Sequence, residues 1–295
     1  QLLDADGMMV QTMRSGTIAR PGETTGCIGC HENRLGGTPN HLKAAMSRPP
    51  SPLKPWHGPP RLFSYTAEVQ PVFDKHCVRC HDYGTEGGKK LLLAGDLTLC
   101  FNASYTELRK KGHVRVVGAG PADILPPYSW GSHKSRLVER LRKYRDEGTL
   151  DAEAFDRVVT WIDINAPYYP SYASSYPANL YGRSPLDGKQ LAALSRLVGL
   201  DLQRRENADQ VSLTRPERSP CLARIPDKSD PRYAEALAIL QAGAAMLARA
   251  PREDMPGARL LGIEAEREEK YLRLRQAEAE ARLAITRGAK HRGSP

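Results

Sequence analysis

Two short stretches place thiols and imidazoles where they can do chemistry. Cys77-Val78-Arg79-Cys80-His81 and Cys27-Ile28-Gly29-Cys30-His31 are both C-x-x-C-H, the pattern that attaches c-type haem. Cysteines three residues apart share one side of a helical turn. Both thiols can then add to the two vinyl groups of one porphyrin, and the next residue holds an imidazole beneath the iron. Two C-x-x-C pairs alone would also suit a four-cysteine zinc ribbon. A ribbon has no use for a histidine directly after each pair, and with only 8 His in the chain the double placement favours haem. The expected cofactors are two covalently bound haem c groups. Cys27, Cys30, Cys77 and Cys80 are the attachment points, and His31 and His81 the proximal iron ligands.

The elements around the second motif suit that task. Val69, Val72, Phe73 and His76 recur at i, i+3, i+4 and i+7, the stripe of an amphipathic helix. Ser64 or Thr66 can cap its start, and Pro71 is tolerable near its first turn. A helix leading straight into C-x-x-C-H is how a class I cytochrome c-like haem domain begins. Downstream, Ser104 can cap a short helix to about Lys110, while Leu91–Phe101 and Val114–Val117 offer short strands or extended segments. A further helix starts near Ser132 and runs to about Tyr144. The last, capped by Asp151 with Glu153 in its first turn, carries Phe155, Val158, Val159 and Ile162 on one face with Trp161 beside them, and stops before Pro167. The first motif has no such helix before it, so its haem is expected to be loop-held. Asp6-Gly7 before Met8-Met9-Val10 is a hairpin signal, and residues 32–62 are a Pro-rich spacer.

The expected fold class is therefore mainly α with irregular loops. Residues 1–62 form a first haem-binding segment, the end of an upstream domain plus the Pro-rich linker. Residues 63–170 form the cytochrome c-like domain. Residues 171–295 form a helical C-terminal extension with a tyrosine-rich linker at its start. It has helices over about 187–198, 231–250 and 263–287, the last highly charged, and a disordered basic end.

The sixth ligand of the second haem lies further along the chain. No Met occurs between Met46 and Met246, so the frequent methionine is absent, and His113 and His133 are the ligand-type side chains left. His133, in WGSHKS after a Pro-rich loop, is favoured over a surface capping role. Bis-imidazole ligation implies a low potential. For the first haem, His41, Met46, His57, Met8, Met9 and Met13 are all candidates, and so is a vacant position where catalysis could occur. His76 is expected at the surface or near a propionate.

The chain carries a formal charge of +9, which four ionised propionates would lower to about +5, favouring acidic redox partners. The positive charge is scattered, with no helix-turn-helix or aromatic-basic interleaving, so nucleic acid is not expected. Cys100 and Cys221 remain after the motifs, either bridged or as two buried thiols. No run approaches a membrane span. Haem c is installed outside the cytoplasm, yet the chain opens without a signal segment. A segment of a longer, periplasmic or otherwise exported protein is expected.

Several stretches together resemble the C-terminal region of the hydrazine synthase alpha-subunit-like family of multihaem proteins: PGETTGCIGCHENR, QPVFDKHCVRCHDYG, LPPYSWGSHKSRL, DRVVTWIDINAPYYP, SPCLARIPDKSDPRYAEALAI and DMPG. The resemblance spans most of the chain. It implies an upstream β-propeller-like portion, covalent haem at both motifs and His133 as distal ligand of the second. In the synthase pattern a tyrosine four residues beyond the first motif's histidine binds iron while that histidine turns to zinc. Here that position is Leu35, and the first tyrosine is Tyr65. The departure speaks against hydrazine formation and returns His31 to the ordinary proximal role. Three functions follow in order: an electron-transfer dihaem cytochrome serving as the redox module of a larger protein, an oxidoreductase acting on a small nitrogen compound at the first haem, and a structural zinc protein.

Overall fold

The computed structural model describes residues 1–12, 35–36, 47, 49, 56–59, 61–117, 125–260 and 262–288. Cys27, Cys30, His31, His41, Met13 and Met46 lie outside the described residues. The chain divides into two compact units, Gln1–Arg14 with Leu62–Ala265, and Ser15–Arg61 with Glu266–Pro295. The described residues are mainly α. The two strands, β1 (Leu2–Leu3) and β2 (Met9–Gln11), form the expected antiparallel hairpin. In its turn the Asp4 carboxylate accepts from the amides of Asp6 (3.0 Å) and Met8 (2.9 Å).

The helix expected to run into the second motif is two helices, α1 (Tyr65–Glu68) and α2 (Gln70–His76), joined at Val69. Pro71 explains the break: it has no N–H for the Ala67 carbonyl, and its ring crowds that carbonyl. The stripe survives, with Val69 and Phe73 at 0% exposure and Val72 at 6%. It packs into a core with the buried face of α6 (Ala152–Asp163), on which Phe155, Val158, Val159 and Ile162 lie as expected, Trp161 among them. The Tyr65 ring joins the two, 4.9 Å from Trp161 and 5.5 Å from Tyr168 between centroids.

Asp151 caps α6 as expected, its carboxylate accepting from the Ala154 amide at 2.7 Å. That bond, with Lys75 beside it, holds Asp151 below its usual range. A depressed acid contributes stability above its unfolded value and loses it as pH falls through the folded one. Asp151→Ala is expected to cost about 1 kcal/mol at pH 7. The difference from the native chain should shrink below pH ~3.8, as urea midpoints across pH would read.

Three local expectations change. The short helix α4 (Ala103–Lys110) is capped by Asn102, which accepts from the Tyr105 amide at 3.0 Å. Ser104 is instead buried inside it, its hydroxyl 2.8 Å from the Tyr65 hydroxyl. Residues 91–101 and 114–117 hold no strand beyond one isolated bridge, Leu97 to Asn102, and residues 98–101 make a turn. The helix expected from Ser132 is a 3-10 turn, Ser132–Lys134, followed by α5 (Arg136–Asp146), because Ser135 is extended between them. A short helix, α3 (Glu86–Lys90), follows the second motif, capped by Thr85.

A second core lies mainly beyond residue 171, with Leu99 and Cys100 joining it. It is built on α7 (Gly188–Val198), opened by a capping box between Asp187 and Gln190, and α8 (Pro231–Arg249). Cys100 and Cys221 are buried free thiols in this core. The stretch expected as a tyrosine-rich linker is packed: the Tyr176 hydroxyl donates to the Ala250 carbonyl, and Arg183 pairs with Glu253 at 2.7 Å. Helix α9 (Gly262–Thr286) carries ion pairs such as Arg273–Glu269, with Tyr271, Leu272 and Leu274 exposed. No described helix is long and apolar enough to cross a membrane.

Candidate functional site

The second motif forms one turn at the end of α2. The amides of Cys80 and His81 both bond the Cys77 carbonyl at 3.0 Å, which brings the three functional side chains to one turn. Cys77 is half-buried against the first core and Cys80 is exposed. Burial, with Cys80 adding, pushes the Cys77 thiol up to about 11.

The imidazole of His81 is oriented by the chain that follows. Its Nδ1–H donates to the Leu91 carbonyl at 2.8 Å, and the Leu93 amide donates to the His81 carbonyl at 2.9 Å. A carbonyl can only accept, so Nδ1 carries a proton, and in the neutral ring the lone pair is on Nε2. Among the described residues Nε2 has no hydrogen-bond partner. A carbonyl fixing the far nitrogen is the arrangement that turns a histidine toward a metal. One residue before the motif, His76 Nε2 is buried with no hydrogen-bond partner, 3.9 Å from Asp151 Oδ2. An acceptor such as a propionate would satisfy it. The thiol turn, the oriented imidazole and the orphaned nitrogen fit a covalently attached haem, with Cys77, Cys80 and His81 holding it.

Two features brace this turn. Gly87 lies so close that a Cβ there would stand 2.1 Å from the Cys80 carbonyl oxygen. Gly87→Ala must push the motif aside. It is expected to cost about 2 kcal/mol and to lower haem loading at this motif, read by thermal midpoint and by haem per chain. The second brace is Arg215, which sequence reasoning missed. Its guanidinium donates to both oxygens of Asp82, at 2.8 and 2.6 Å, and to both of Asp96, at 2.8 and 2.6 Å. The Arg215 hydrogen bond holds Asp82, the residue after His81, below the usual carboxylate range. The loop that carries Arg215 thus fixes the end of the motif. An arginine in a polar loop 133 residues away carries no local signal of this.

His133 sits in a turn set by Asp163. This carboxylate accepts from the Ser132 amide (2.7 Å), the Ser132 hydroxyl (2.8 Å) and the Met9 amide (2.9 Å). Burial nonetheless pushes Asp163 up. Gly131 has φ 78°, and a Cβ there would meet Met9 and the Asp163 carboxylate at 2.5 and 2.7 Å. The WGSH segment therefore needs this glycine. The His133 ring packs edge-on against Tyr128 at 4.9 Å, and Nε2–H donates to Asp4 Oδ2 at 2.8 Å. A ligand role through Nε2 requires leaving Asp4. His113 has no side-chain hydrogen bond among the described residues. Burial and the Arg136 and Lys111 charges hold it below the usual imidazole value. No hydrogen bond or ring contact joins His81 to either histidine among the described residues.

Of the other candidates, Met8 is in the first core, its sulfur accepting from Arg142 at 3.1 Å, and Met9 is buried beside Gly131. His57 lies 5.2 Å from the Trp56 ring. Among the described residues no three His, Cys, Asp or Glu side chains converge as a metal cluster.

Residues 1–32 match the family model described as the hydrazine synthase alpha subunit middle domain. The matched stretch holds the β1–β2 hairpin and the Cys27–His31 motif. No curated protein and no solved structure matches the chain. Over residues 1–32, then, this chain is similar to hydrazine synthase alpha subunits.

Proposed function

We propose that this chain is an exported dihaem c-type cytochrome for electron transfer, the redox module of a larger hydrazine-synthase-alpha-like protein. The observation that carries the reading is the second motif: His81, oriented by the Leu91 carbonyl, follows directly on the Cys77–Cys80 turn. The match over residues 1–32 supports the same family and includes the first motif. Haem iron held at such sites supplies one-electron transfer at a potential set by its axial ligands. The residues of the chain divide the work. Cys27, Cys30, Cys77 and Cys80 attach, His31 and His81 ligate, and Leu91, Gly87 and Arg215 hold the second motif in place. His133 is the proposed distal ligand of the second haem, and acidic redox proteins are the proposed partners.

The test is the chain made in a host that installs haem c. Two haems per chain by pyridine haemochrome, with a matching gain in mass, are expected. Zinc with no Soret band would overturn the proposal. His133→Ala is expected to abolish the six-coordinate low-spin spectrum of one haem; if His113→Ala does so instead, the distal assignment moves there.

A second reading, an oxidoreductase acting on a small nitrogen compound, draws on the match, which covers the first motif in a synthase-type domain. Carbon monoxide or nitric oxide binding to the reduced chain would favour it, and no binding at either haem would count against it.

A further inference from the structure

A cavity of about 550 Å³ opens beside α4, between the turn at Tyr181 and the 3-10 segment Arg205–Gln210. None of Cys77, Cys80, His81 and His133 lines it, so it is separate from the second motif. Its size suits an organic ligand.

The walls are aromatic. The Tyr105 hydroxyl donates to the Ala166 carbonyl at 3.0 Å and the Tyr169 hydroxyl to the Cys100 carbonyl. With both hydroxyls committed to backbone, these residues offer the cavity ring surface rather than polar groups. Burial pushes the Cys100 thiol on the wall up to about 11, so it is neutral and not a nucleophile. Tyr181 at the rim is 54% exposed and has φ 52°, a left-handed conformation that costs a non-glycine residue energy and is common where ligands are clamped.

Four cations, Arg109, Lys110, Arg183 and Arg205, line the cavity beside one acid, Glu206, and two of the cations are uncommitted. Lys110 pairs with Asp209 at 2.9 Å, and Arg183 pairs with Glu253 and covers the Tyr169 ring at 3.8 Å. Arg109 and Arg205 are exposed and have no side-chain partner among the described residues. Both line the same cavity as the Tyr105 ring. A guanidinium fork matches a carboxylate or phosphate, and aromatic faces take a flat ring.

We propose that this cavity binds a flat aromatic anion, its ring against Tyr105 and Tyr169 and its carboxylate or phosphate held by Arg109 and Arg205. The test is calorimetric titration of the full haem-loaded chain with 2-naphthoate, 2-naphthyl phosphate and the neutral 2-naphthalenemethanol. At least one anion is expected to bind about tenfold or more tightly than the alcohol. The tighter of the two anions identifies the headgroup. Arg109→Gln/Arg205→Gln should erase that preference while leaving the thermal midpoint unchanged, because both side chains are exposed. Tyr181→Ser should weaken all three ligands. No binding at about 1 mM, equal binding of alcohol and anions, or anion binding that survives the double variant would overturn the proposal.

Discussion

Arg252→Met is expected to destabilise the chain by about 3–5 kcal/mol, read as a fall in the urea midpoint. The Arg252 side chain has 0% exposure and lies 2.8 Å from the equally buried Asp254. Its guanidinium also donates to the carbonyls of Thr98 (2.9 Å), Leu99 (3.1 Å) and Phe101 (3.2 Å). Asp254 in turn accepts from the Tyr168 hydroxyl at 2.7 Å, and its carbonyl from the Thr66 hydroxyl at 2.9 Å. One buried pair thus ties the residue 98–101 turn, the start of α1 and the segment after α6 to the segment after α8. Methionine keeps the volume but leaves a carboxylate without its cation and carbonyls without their donor, both costly in a buried site. Arg252→Met/Asp254→Leu should recover part of the loss, because the stranded charge goes too. A single variant within about 1 kcal/mol of native would show that the pair is not a tie at all.

The second large effect concerns the turn at Cys77–His81, the proposed haem attachment site. Cys77→Ser/Cys80→Ser is expected to halve the haemochrome yield, leaving one haem per chain at Cys27 and Cys30. The side effects should be local, because Cys77 packs on the first core while Cys80 is exposed. Far-ultraviolet circular dichroism should keep most of its helix signal while the thermal midpoint falls. An unchanged haem content would remove the second motif as an attachment site.

Much of the helix content was legible because it is local physics. Asp151 and Asp187 announce helix starts by side-chain bonds to amides three residues on. Apolar residues at helical spacing name the buried faces of α2, α6 and α7. The same locality explains the misses. Ser104 and Asn102 are both capping types, and only the burial of Ser104 beside Tyr65 decides between them. The residues 171–184 have a linker's composition, yet they are held by partners as far off as Glu253 and Ala250.

For the candidate site, the sequence by itself determined the chemistry on offer: two thiol pairs, each with an imidazole next in line, and no methionine between Met46 and Met246. Those are statements about residue type and spacing, and covalent connectivity enforces them. Only the tertiary structure decided how the second motif is held: the Leu91 carbonyl on His81, Arg215 on Asp82 and Asp96, and His133 on Asp4. The same holds for the cavity between Arg109 and Arg205. A hydrogen bond or ion pair between distant residues leaves no periodicity along the chain, so its partners become known only once folding has brought them within reach.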